Sequence, residues 1–271
     1  MKKNDYSTLI AAAITILLLI AVIAIFFVTK NKSQNKKSVL EIEEQKLEQA
    51  TFDVTFINPK ETYAAIQKKE YLIVDIRNPE NFSENHIESS INIPLQKLLD
   101  SENRLNKDQT IIIVETQETQ DGKKITSQLQ DKGYKLNYLK GGLYNYIGIG
   151  YALVSYGDVN SAHDRAKVSL VDLTELGSRL QAGERFIYLD VRSKSAFDKD
   201  HFANAINVPL ENLEKNKGDV PTGKLLIIDE DPARSFQAAV RLNDMNFLTV
   251  YYLTNKYSEF KEAVQNQTLL Q

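Results

Sequence analysis

The sequence predicts an α/β protein of two successive domains, each a parallel sheet with helices on both faces, preceded by one N-terminal transmembrane helix. Three observations lead there. Residues 72–94 (LIVDIRNPENFSENHIESSINIP) align without gaps against 187–209 (IYLDVRSKSAFDKDHFANAINVP) at a constant offset of 115. Around each copy, short apolar runs alternate with amphipathic segments at the lengths of strands and helices, the rhythm of βαβ units. Ahead of both, Leu9–Val28 is a stretch of 20 residues without a charge.

That stretch follows a short tail, residues 1–8. At about 1.5 Å rise per residue it reaches roughly 30 Å, the thickness of bilayer hydrocarbon. It is longer than the apolar core of a signal peptide, and Phe26–Lys30 offers no small-residue cleavage site, so it reads as a retained single-pass anchor in the cell membrane. Two arguments oppose each other on orientation. Four lysines follow the segment (Lys30, Lys32, Lys36, Lys37) and two precede it (Lys2, Lys3), which favours a cytoplasmic bulk. A short tail before one anchor favours export, and the reading leans slightly to the extracytoplasmic side. Residues 29–55 form a basic spacer and a stalk, with Ser38 as helix N-cap and Glu41 three residues on.

The two domains are placed at 56–156 and 168–266. Each opens with an amphipathic helix (Pro59–Lys69; Asp172–Ala182), then a short apolar strand (Tyr71–Asp75; Phe186–Asp190), a loop, and a short strand ending in proline. A second, wholly apolar run follows (Ile111–Val114; Leu225–Ile228), as expected of a strand buried on both faces. A polar loop and helix (about 123–132; 234–243) lead to a last strand (Leu136–Leu139; Thr249–Leu253). The polar stretch Tyr156–Lys167 reads as the join.

Composition narrows the chemistry. The chain has 271 residues, 42% hydrophobic and 25% charged, and contains no cysteine. That excludes disulfides, thiolate metal sites and a cysteine nucleophile. Residues 1–37 carry six lysines against Asp5, a net of +5, so the overall −3 leaves −8 on residues 38–271. A nucleic-acid partner is disfavoured, since phosphate binding needs a basic face. No cofactor or metal is expected.

Identities recur at the repeat spacing, among them Asp75/Asp190, Arg77/Arg192, Phe82/Phe197, His86/His201, Asn92/Asn207 and Pro94/Pro209. Together with Val74-Asp75-Ile76-Arg77, Leu189-Asp190-Val191-Arg192, Asn92-Ile93-Pro94, Asn207-Val208-Pro209 and Leu139-Lys140-Gly141-Gly142-Leu143, they resemble the rhodanese family across about 57–155 and 169–265. The resemblance implies sulfur transfer through a cysteine persulfide, placed after the second buried strand in a loop that opens a helix. Here that position falls on Glu115 or Thr116 in the first copy, whose loop reads as one residue longer, and on Asp229 in the second. The second copy keeps the family's loop length in Asp229-Glu230-Asp231-Pro232-Ala233-Arg234-Ser235, with Arg234 five residues past Asp229. The turn glycine is replaced by Asn85 and Asp200, and the glycine pair by Thr254-Asn255 in the second copy. The Asp229 carboxylate, beside a helix N-terminus and Arg234, is expected to occupy the anion pocket itself.

The remaining candidates read as structural. Asp75/Arg77 and Asp190/Arg192 suit loop bracing by an arginine fork. His86 and His201, at matched turn positions, suit packing and hydrogen bonding, and His163 lies in the join. Asp229-Glu230-Asp231 lacks the spaced ligands of a calcium loop and reads as solvated. Tyr134, Tyr138, Tyr144, Tyr146 and Tyr151 are expected to pack between the domains, an exposed subset serving a partner protein. The expected function is a membrane-anchored tandem protein, catalytically inactive, acting as a binding or scaffolding module; the alternatives are a sulfurtransferase or a small-ligand sensor.

Overall fold

Each copy forms its own five-stranded sheet in the computed structural model, which describes residues 52–266 together with Lys30. In the first copy β1 (Phe56–Ile57), β2 (Tyr71–Asp75), β3 (Ile91–Asn92), β4 (Thr110–Val114) and β5 (Lys135–Leu139) lie in the order β1-β5-β4-β2-β3. In the second, β6 (Ser169–Val171), β7 (Ile187–Asp190), β8 (Ile206–Asn207), β9 (Leu225–Ile228) and β10 (Val250–Leu253) repeat that order as β6-β10-β9-β7-β8. All pairings are parallel. The segment Leu9–Val28 and the stalk to Thr51 lie outside the described residues, and no helix among the described residues is long and apolar enough to cross a membrane.

Helices α1 (Pro59–Ala65), α2 (Pro79–Glu84), α3 (Gln120–Asp131) and α4 (Gly142–Gly148) belong to the first copy. α5 (Ala162–Lys167) lies in the join, and α6 (Leu173–Gln181), α7 (Lys194–Lys199), α8 (Pro232–Asp244) and α9 (Tyr257–Gln265) belong to the second. The wholly apolar strand β9 shows why helices cover both faces. Leu225 and Ile227 pack with Ala238, Ala239 and Leu242 of α8, while Leu226 and Ile228, pointing the other way, pack with Leu176 of α6 and with Tyr257 and Phe260 of α9. In the first copy Ile112 and Val114 of β4 pack with Ala65 of α1 and with Leu143 and Tyr146 of α4.

Two expectations are corrected, for the first helix and for the tyrosines. The first helix stops at Ala65, not Lys69: it begins with a capping box between Asn58 and Glu61, but Gln67 adopts φ +70°, a left-handed turn that a helix cannot continue through. The join is ordered by buried polar groups. Ser161 caps α5, and Asp164 accepts from the Ser155 hydroxyl and the Asp158 amide and pairs with Lys167, which also reaches Asp244 of α8. Just before it, Val154 enters the second copy's core and bridges to His86. Finally, most of the tyrosine cluster packs inside the first copy: Tyr138 and Tyr146 are core residues, Tyr151 stacks on Tyr63 of α1, and Tyr144 is exposed. It is Tyr156 that lies between the copies, its ring under Arg241 of α8 and edge-on to Phe82 and His86.

Candidate functional site

The strand-end motif has the same geometry in both copies. Asp75 and Asp190 are fully buried, and the arginine two residues on folds back onto each. Arg77 Nη2 donates to Asp75 Oδ2 at 2.7 Å and Arg192 Nη2 to Asp190 Oδ2 at 2.6 Å, while each arginine's own amide donates to Oδ1. The outer edge of each guanidinium donates to the backbone carbonyl of the turn residue, Asn85 or Asp200. Asn92 and Asn207 then close the loop, each donating to two carbonyls on either side of the arginine motif at 2.8–3.0 Å. Pro94 and Pro209 start the short 3-10 turns that follow. These residues hold the edge of the loop; in the second copy Arg192 also lies over the Tyr257 ring, 3.3 Å from its centre.

The loop after β4 and β9 is where the copies diverge. Sheet register pairs Asp75 with Val114 and Asp190 with Ile228, so the first residue beyond the strand is Glu115 in one copy and Asp229 in the other. Register therefore selects Glu115 over Thr116 as the counterpart of Asp229. The helix N-caps are Thr119 and Asp231, which makes the first loop two residues longer than the second, where the sequence suggested one.

Asp229 is 3% exposed and turns into its own loop. Its Oδ1 accepts from the Asp231 amide at 3.0 Å and its Oδ2 from Arg234 Nε at 3.1 Å. Burial pushes its carboxyl above the ordinary range, more than these two donors pull it down. The neighbouring acids point elsewhere: Asp231 caps α8 through the Ala233 amide, and Glu230 accepts from the amide and hydroxyl of Ser258 on α9. Arg234 also reaches Glu211 at 2.9 Å. Ser235 does not join the loop; it is buried in α8 and its hydroxyl has no partner. Among the described residues no three histidine, aspartate or glutamate side chains converge as a metal site would require.

Glu115 is 7% exposed and makes a parallel arrangement with different donors. It accepts from the Thr119 amide and hydroxyl and from the Tyr138 hydroxyl, with no arginine hydrogen-bonded to it among the described residues. Burial lifts its carboxyl from 4.5 to about 7. A shallow pocket of about 290 Å³ remains over this loop, lined by Ile76, Arg77, Glu115, Thr116, Gln117 and Thr119. The longer loop also explains the glycine pair found only in this copy. Gly142 has φ +60°, and a Cβ there would stand 2.6 Å from the carbonyl oxygens of both Glu115 and Thr116. Leu143 and Tyr144 donate to those same carbonyls, so α4 starts pressed against the loop.

The two histidines do not share a role. His201 is exposed; it stacks on Phe197 and its Nδ1 faces the Phe197 carbonyl at 2.9 Å, but its Nε2 has no carboxylate opposite it among the described residues. His86 is fully buried: Nδ1 faces the Phe82 carbonyl at 2.9 Å and Nε2 faces both oxygens of Glu214, each at 3.2 Å, in the other copy. Both ring nitrogens thus lie against oxygens, one in each copy. Glu214 also accepts from the Ser89 amide at 2.8 Å. Glu214, like Tyr156 and Arg241, belongs to no motif and has no counterpart at the repeat offset, so the sequence held no signal for it.

Two parallel α/β domains, each with an Asp-x-Arg brace at one strand end and a helix-opening loop at the next, define a tandem of one domain type. The rhodanese-like domain model matches residues 58–148 and 172–263, and the chain belongs to that family. No curated protein matches it. Among solved structures, a rhodanese-related protein from Thermoplasma volcanium is 26% identical over 37% of this chain and 97% of its own, with a TM-score of 0.34. A thiosulfate sulfurtransferase from Pseudomonas aeruginosa is 20% identical over 78% of this chain, which spans 43% of that protein, with a TM-score of 0.39. The rhodanese-like domain of an Anabaena protein is 18% identical over 38% of this chain and 80% of its own, with a TM-score of 0.34.

Proposed function

We propose that this is a membrane-anchored tandem rhodanese-like protein that does not transfer sulfur and acts as a binding or scaffolding module. The observation that carries the reading is the occupation of both loops by internal carboxylates. Sulfane sulfur transfer needs a thiolate that can take up and release a sulfur atom, and a carboxylate forms no persulfide. The chain has no cysteine to supply one. In the second copy the Asp231 amide and Arg234, donors that an external anion would use, are already engaged by Asp229; a bound thiosulfate would have to displace a covalently tethered negative charge.

The anchor rests on Leu9–Val28, uncharged and long enough to span hydrocarbon, with lysines at both flanks. A slight preference for the extracytoplasmic side and an unidentified protein partner complete the reading. The test of catalysis is direct: the full chain in neutral detergent is given thiosulfate and cyanide and thiocyanate is measured. Background-level product is expected, and turnover above that of a boiled sample would end the proposal. Alkaline carbonate extraction of native membranes, followed by protease access in intact cells, tests the anchor and its orientation.

A further inference from the structure

The turn that follows α2 in the first copy recurs after α7 in the second with the same internal geometry. Each histidine Nδ1 faces the carbonyl four residues back, Phe82 or Phe197, at 2.9 Å, and each ring stacks on that phenylalanine, with centres 4.2 and 4.0 Å apart. Three residues on, Ser89 and Asn204 both adopt φ +65°, and the next amide in each donates back across the turn at 3.0 Å. What differs is the cover. In the first copy the His86 backbone exchanges two hydrogen bonds with Val154, at 2.9 and 2.8 Å, as an antiparallel pair. Two residues further, the Tyr156 ring stands edge-on to His86 and Phe82, and Glu214 of the second copy closes over His86 Nε2 and the Ser89 amide. In the second copy the His201 amide and carbonyl, its Nε2 and the Asn204 amide have no hydrogen-bond partner among the described residues. His201 and Asn204 are exposed and Phe197 is half-buried, against 3% exposure for Phe82 and none for His86.

A turn that keeps its bonded shape without its cover is ready to receive one, since docking on it orders no backbone. We propose that the His201 turn is a docking site for an extended segment of a partner protein. That segment pairs antiparallel with the His201 backbone, lays an aromatic ring on the stacked rings of Phe197 and His201, and sets a carboxylate against Nε2 and the Asn204 amide. The first copy shows that this chemistry fits the motif: strand pairing supplies affinity, while the ring and the carboxylate select the sequence. Neither a second copy of this chain nor its own last residues match that cover. At the repeat offset Glu214 becomes Leu99, Glu214 itself is engaged by its own His86, and residues 267–271 (QTLLQ) contain no acidic or aromatic side chain. The inference deepens the binding-module reading and rests on it; whether the loops transfer sulfur is decided separately, by the thiocyanate assay.

The full chain in neutral detergent, prepared with isotope-labelled histidine, gives three ring signals by NMR, from His86, His163 and His201. The probe is a capped peptide of residues 151–160 (YALVSYGDVN), which carries the pairing segment, Tyr156 and one aspartate. A saturable shift of the His201 signal is expected, with those of His86 and His163 unmoved. Anisotropy of the fluorescently labelled peptide gives the affinity: His201→Ala in the protein, or Tyr156→Ala in the peptide, should each weaken binding about three- to tenfold. His201→Ala removes an exposed ring, and circular dichroism checks that the fold is kept. No saturable shift, an equal response to a scrambled peptide, or binding that neither substitution moves overturns the proposal. So does a His201 signal that moves in the peptide-free protein on dilution or on removal of residues 267–271, because a second copy or the chain's own last residues then already cover the turn.

Discussion

Replacing Glu115 by glutamine should make the protein more stable by about 3 kcal/mol at pH 8 and by only about 1 kcal/mol at pH 5. The carboxyl is sealed beneath the loop that opens α3, and its half-titration moves from 4.5 to about 7 because burial penalises the charged form more than the Thr119 donors favour it. An unfolded glutamate loses its proton near 4.5, whereas the folded one keeps it until about 7. Between these values the folded state holds the extra proton, so stability falls as pH rises and levels off above the folded value. The full penalty at alkaline pH is about 3 kcal/mol. Glutamine keeps an oxygen for the Thr119 amide and cannot ionise. The assay is urea unfolding of wild type and Glu115→Gln at pH 5, 6, 7 and 8, followed by tyrosine fluorescence, since the chain has 13 tyrosines and no tryptophan. The stability difference should grow from about 1 kcal/mol at pH 5 to about 3 kcal/mol at pH 8; other titrating groups, common to both proteins, cancel. A difference independent of pH, or a Glu115 carboxyl carbon that titrates near 4.5 by NMR, would refute the reasoning.

Two further outcomes follow from named contacts. Gly142→Ala should lower stability by about 2 kcal/mol or more, because its Cβ would strike two carbonyl oxygens, whereas Gly150→Ala, at φ +95° with nothing within 4 Å, should cost only about 1 kcal/mol; comparable melting temperatures for the two variants would contradict this. Glu214→Gln leaves His86 buried without its anion and should cost about 3 kcal/mol at neutral pH, read as a lower urea midpoint. Although burial raises the Glu214 carboxyl, its hydrogen bond and charge pairing with His86 outweigh it and hold the group below the usual glutamate range. The stability it supplies is therefore complete above the unfolded glutamate value and fades as pH drops through the lower folded one, so the two proteins should converge in acid.

Much of the fold was legible because it is written in local, repeated signals. β4 and β9 announce themselves as unbroken apolar runs, since a strand covered on both faces has no polar side. The Asp-x-Arg and Asn-x-Pro elements recur because each copy solves the same problem, bracing a loop at a strand end with one arginine and one amide. The short strands β1 and β6, two and three residues long, carried no period to detect, and the helix in the join was hidden because its polar residues are buried against one another.

By itself the sequence determined two copies of one α/β architecture, an uncharged stretch long enough for a bilayer, and the absence of a thiol from both loops. All are properties of residue type and spacing. Only the tertiary structure decided that Glu115 and not Thr116 matches Asp229, that both carboxylates turn inward, and that His86 and His201 part company, one covered by the neighbouring copy and the other open. Those facts depend on strand register and on which surfaces of the two copies meet. Residues brought together across more than a hundred positions, such as His86 and Glu214, leave no pattern along the chain, because the interaction that links them is made only when the two domains pack.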